Sequence, residues 1–95
     1  MKLKYIKILE RDNFICQECG RYTKHKPHHI FYGIEKSFSE KYLDICMVTL
    51  CYECHHRLHN TDYKMALRYK EQAQKEFEKV YSKEKFMQEC GRNYL

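Results

Sequence analysis

The residues that could do chemistry fall in two C-x2-C pairs and two histidine groups. The pairs are Cys16/Cys19 in "CQEC" and Cys51/Cys54 in "CYEC"; the histidines lie in "HKPHH" and "HHRLH". Each pair lets two thiolates reach one ion, and two pairs complete a closed tetrahedral Zn²⁺ site. A redox C-x-x-C would use one pair and leave the other idle, with no βαβ pattern beside it. Gly20 directly after the first pair supplies the permissive backbone that a tight knuckle needs. The composition also calls for a metal staple. Leu, Ile, Val and Phe number 20 of 95 residues, near the level at which a chain struggles to bury enough apolar surface.

Between Cys19 and Cys51 lie 31 residues, more than a simple zinc ribbon inserts. The stretches "PHHIFYG" and "DICMVTLC" predict two short strands, joined by the polar connection "IEKSFSEKY". Neighbours on a strand point to opposite faces, so His28 and His29 should not share one job. The second knuckle opens a helix on which His55 and His59, four apart, share a face, while His56 points elsewhere. Histidines from strand and helix together can form a second metal site, open to water and substrate.

The pattern "CQECG…HHI…VTLCYECHHRLH", with its "RDNFICQECG" lead-in, resembles an HNH endonuclease of the His-Me finger (ββα-metal) superfamily, in its cysteine-bearing zinc branch. The likeness covers about residues 11–59. It implies an α+β fold in which Cys16, Cys19, Cys51 and Cys54 hold structural zinc. It also implies that His28, His55 and His59 hold a catalytic divalent metal, and that His29 is the general base. Mg²⁺ or Mn²⁺ is the implied catalytic ion, with Ni²⁺ or another transition metal favoured by three imidazoles. The middle Asn of that family falls at Cys46. Since that Asn braces a loop, Asp44 is expected to take over the bracing, and Cys46→Asn to retain or raise activity.

Formal charge is +5, with Lys2, Lys4, Lys7, Arg11, Arg21, Lys24, His25 and Lys26 crowding the N-terminal third. That crowding suits a polyanion, and DNA is the implied partner. Arg57, Arg21, Lys24 and Lys26 are the candidate backbone contacts. The function expected is a metal-dependent DNA endonuclease or nickase; the alternative is a zinc-stapled nucleic-acid-binding module without cleavage. No apolar run is long enough for a membrane span, and "MKLKYIKILERDNF" is too charged for a signal peptide. A cytoplasmic protein of a bacterial or phage-infected cell is therefore expected. Residues 1–95 read as one domain. From Asp62 to about Cys90, apolar residues recur at three- and four-residue steps, predicting a long helix capped by Asn60, Thr61 or Asp62 and ended by Gly91. Its stripe should pack on "LKYIKIL" and the zinc core, with self-association the lesser alternative. Cys46 and Cys90 read as small buried hydrophobes.

Overall fold

The computed structural model describes residues 1–95. It is an α+β arrangement in which helices surround a two-stranded antiparallel sheet. Helix α1 (Leu3–Arg11) buries Tyr5, Ile8 and Leu9, which recur at the spacing of one helical face. Asn13 and Phe14 follow with positive φ, turning the chain into a knuckle closed by the bridge between Ile15 and Tyr22. Strand β1 (His28–His29) pairs with β2 (Met47–Val48) in the register His28↔Val48 and His29↔Met47. Between them run a 3₁₀ turn (Gly33–Glu35), α2 (Lys36–Lys41) and α3 (Leu43–Cys46). After β2 come α4 (Tyr52–Asn60), α5 (Tyr63–Val80) and α6 (Lys83–Cys90).

The strands are shorter than the sequence predicts, for a local reason. Ile30 still donates to the Cys46 carbonyl at 2.8 Å, but both backbone groups of Phe31 bond the Ser39 hydroxyl, at 3.0 and 2.7 Å. A buried side chain on α2 thus replaces the neighbouring strand, and the ladder ends. Asp44, Ile45 and Cys46, expected in a strand, form α3 instead, and the polar connection is largely helical.

The long C-terminal helix is two helices. Asp62 caps α5 by accepting from the Met65 N–H at 3.0 Å, as the sequence suggests. The chain then breaks at Tyr81, and Ser82 caps α6 by accepting from the Lys85 N–H. A serine followed by charged helix formers is an N-cap signal that apolar periodicity alone passes over. Gly91 ends α6 in the left-handed conformation that favours glycine.

The apolar stripe of α5, including Met65, Ala66, Ala73 and Phe77, packs into the main core with Cys16, Cys51, Cys54 and Leu58. Phe31, Phe38, Phe77 and Phe86 meet there with ring centroids 5.3–5.7 Å apart. The N-terminal segment does not join that stripe. Tyr5 and Ile8 form a separate cluster with Met47, supported by Leu43. So α1 lies against β2 and α3, which brings its first turn to the His29 side of the sheet. No helix is long and apolar enough to cross a membrane.

Candidate functional site

The two cysteine pairs meet as the spacing requires. The four Sγ atoms lie within 4.8 Å of one another, and those of Cys19 and Cys51 are 3.7 Å apart. Thiolates about 2.3 Å from one tetrahedral zinc would stand about 3.8 Å apart, so the cluster is compatible with a structural zinc site. Cys51 is the N-cap of α4, and its sulfur accepts from the Cys54 N–H. Burial pushes up the Cys16 thiol, but N–H groups of Cys51, Cys19 and Glu18 outweigh it and bring the pKa to about 7. Burial raises Cys51 and Cys54 instead. A bound dication reverses that penalty, because it favours the thiolate.

A second cluster joins β1 to α4. His28 Nδ1 is 3.1 Å from His55 Nε2, which is 3.1 Å from His59 Nε2. Nitrogens about 2.1 Å from a common ion, at angles between octahedral and tetrahedral, stand about 3.0–3.4 Å apart. The donor set therefore fits a divalent transition metal. Burial, reinforced by the neighbouring imidazoles, holds His28 down to about 2 and His55 down to about 4; burial also lowers His59. All three are neutral at physiological pH, as metal ligation demands.

His29 faces the other way. Its Nε2 bonds Glu40 Oε1 at 2.8 Å, and the Tyr5 ring meets its ring edge-on at 5.6 Å. Glu40 also accepts from Lys4 Nζ at 2.7 Å and from the Tyr5 hydroxyl. These donors hold the Glu40 carboxyl down to about 2. Burial lowers the His29 pKa while Glu40 opposes it. An ionised carboxylate at Nε2 keeps the proton on that nitrogen and leaves the Nδ1 lone pair free. Even so, His28, His29, His55 and His59 line one cleft of about 220 Å³, with Lys26, Pro27, Tyr32 and Lys36. Opposite-facing neighbours meet there because α4 walls one side and α2 the other.

The expected DNA contacts do not assemble as a group. Lys26 reaches the cleft, its ammonium 4.9 Å from the Tyr5 ring. Arg21 and Arg57 pair with Glu53 and Asp62 at 3.5 and 3.6 Å, outside the cleft lining, and Lys24 is exposed. Lys36 and Lys70, by contrast, escaped the sequence reading. Lys70 Nζ lies 4.3 Å over the Tyr32 ring, and that ring contacts His59 at 4.7 Å. Burial lowers the Lys70 pKa. Nothing in the local sequence marks Lys70, because Tyr32 is 38 positions away.

The bracing expected of the Asp44 side chain comes from elsewhere. Arg11 donates to the carbonyls of Asp44 and Met47, at 2.8 and 2.9 Å, and the Asp12 carboxylate accepts from the Thr49 N–H at 3.1 Å. Cys46 is fully buried in the main core, and burial pushes its thiol up to about 12. The Cys46 sulfur makes no hydrogen bond, and an asparagine there would bury an amide in the apolar core. Cys46→Asn is therefore expected to destabilise the fold by about 1–3 kcal/mol, a cost that the expectation of retained or raised activity did not include. Urea unfolding of the two proteins checks this; an unchanged midpoint would mean that the core supplies a partner to the amide.

Comparison with family models, with curated proteins and with solved structures returned no match.

Proposed function

We propose that this chain is a metal-dependent DNA endonuclease or nickase of the HNH type. The observation that carries the reading is the set of three imidazoles, His28, His55 and His59, at ligand spacing in a cleft that His29 also lines. A bound Mg²⁺, Mn²⁺ or Ni²⁺ would neutralise charge on the phosphate and on the leaving oxygen. His29 accepts the proton of the attacking water at Nδ1, while Glu40 holds the Nε2 proton and the ring's orientation. The new bond joins the water oxygen to phosphorus, and the bond to the leaving sugar oxygen breaks. Lys26 and Lys36 hold the DNA backbone at the cleft mouth. The cysteine cluster fixes α4, and with it His55 and His59, against β1.

Conversion of supercoiled plasmid to open circles tests the reading. Cleavage should need added Mg²⁺, Mn²⁺ or Ni²⁺ and stop with EDTA. DNA binding without cleavage under every metal would leave the non-cleaving binding module as the function.

Lys70 extends the positive face beyond the ligands. It has no carboxylate within ion-pair distance; the nearby Glu35 is bonded by the Tyr94 hydroxyl at 2.7 Å. Lys70→Ala should weaken binding to duplex DNA and reduce the slope of log affinity against log salt by about 1. Fluorescence anisotropy at several salt concentrations measures both. An unchanged slope would remove Lys70 from the interface.

A further inference from the structure

His25 belongs to the candidate metal centre although no ligand spacing points to it. Its Nε2 lies 2.9 Å from His55 Nδ1, and the two rings meet with centroids 5.1 Å apart. His55 Nε2 faces His28 and His59, so an ion held by the three histidines uses that nitrogen. A neutral imidazole that ligates through Nε2 carries its proton on Nδ1. That proton points at His25 Nε2, which must then accept it. We propose that His25 is a positioning residue for the divalent metal: it accepts the Nδ1 proton of His55, selects the ligating tautomer and fixes the ring plane. The inference rests on the three-histidine metal site of the proposed function, and deepens it.

The local structure supports this role. The His25 backbone N–H donates to Thr23 Oγ1 at 3.0 Å, and the Thr23 N–H bonds the Phe14 carbonyl at 2.8 Å. The Tyr52 ring meets the His25 ring edge-on at 5.8 Å. Thr23 belongs to the knuckle that carries Cys16 and Cys19, and Tyr52 directly follows Cys51. His25 is therefore aimed by both halves of the cysteine cluster, so the zinc-site scaffold sets the tautomer of a ligand in the other site. Among the three ligands His55 alone gains such an acceptor. His28 Nε2 is buried with no partner, and His59 is exposed. The acceptor matters most at His55 because its Nε2 is the nitrogen shared by both short contacts.

Titration calorimetry of the zinc-loaded protein with Ni²⁺, with zinc content and melting temperature read on the same samples, tests this. His25→Ala should weaken Ni²⁺ binding about 10- to 100-fold, the usual loss for an outer-shell partner. His25→Gln, whose amide oxygen can accept the same proton, should stay within a few-fold of wild type. His25→Lys, which can only donate, should bind no better than His25→Ala. Zinc content should stay at the wild-type level throughout. Ni²⁺ affinity unchanged in His25→Ala, or equally low in Gln and Lys, would overturn the acceptor role. If His25→Ala fails to fold, the Gln and Lys pair still decides. A wild type that binds Ni²⁺ in this way but never cuts DNA would overturn the proposed function and leave the role of His25 standing. A wild type that binds no second metal would overturn both.

Discussion

Cys54→Ser should leave a chain that no longer folds cooperatively. Structural zinc contributes on the order of 10 kcal/mol to small metal-bound domains, comparable to the entire stability of an ordinary domain. This chain buries only 27 of its 95 residues, so the core cannot absorb such a loss. Cys54 is 2% exposed and sits in the main core beside Cys51 and Leu58. Losing its sulfur removes one of the four thiolates that tie α4 to the first knuckle. That leaves backbone bonds, the exposed Arg21–Glu53 pair, the His25–His55 contact and the bonds of Glu18 to Arg68 and Tyr69 to hold that knuckle in place. Wild-type protein should carry about one zinc per chain by elemental analysis. Circular dichroism should show a cooperative melt for wild type and a broad or absent one for Cys54→Ser and for zinc-stripped protein. A zinc-free wild type with an unchanged melt would show that the apolar core suffices and the cysteines are incidental.

His29→Ala and His28→Ala should both abolish nicking, by different routes. With His29 removed, fold, zinc, second-metal affinity and DNA binding should persist, while the cleavage rate falls about 10²-fold or more. Excess metal should restore nothing, because the missing group is the proton acceptor. His28→Ala instead removes one of three imidazoles from the cluster that includes His55 and His59. Its activity should recover in part as Mn²⁺ or Ni²⁺ is raised, because the ligand loss is one of affinity. Glu40→Ala, which removes the acceptor of the His29 Nε2 proton, should lower nicking without metal rescue, as His29→Ala does, since Glu40 touches His29 and none of the three ligands. Single-turnover nicking across a metal titration separates the patterns. Equal rescue of His28→Ala and His29→Ala would show that the two roles are misassigned, and full activity of both would remove the mechanism.

Features carried by a few neighbouring residues were legible in the sequence. The C-x2-C pairs converge because each knuckle needs only its own few residues to aim two sulfurs at one ion. The i, i+4 spacing of His55 and His59 puts them on one face of any helix. Asp62 and Gly91 mark helix ends because capping is a contact of two or three residues. The alternation of adjacent strand residues correctly sent His28 and His29 to opposite sides, which is why they differ in partners: His55 for one, Glu40 for the other.

Tertiary structure alone decided what those two sides contain. Glu40 reaches His29 only because α2 folds over the sheet, and Tyr5 joins them only because α1 packs on Met47 rather than on α5. His25 reads as one more basic residue until the knuckle places it against a helix 30 positions on. The strands end early because Ser39 satisfies the Phe31 backbone from eight residues away. Lys70 joins the cleft's surroundings through Tyr32, across much of the chain. Periodicity and spacing report contacts within a helical turn or a knuckle. A hydrogen bond between residues tens of positions apart leaves no local pattern, because neither partner's neighbours need change to make it.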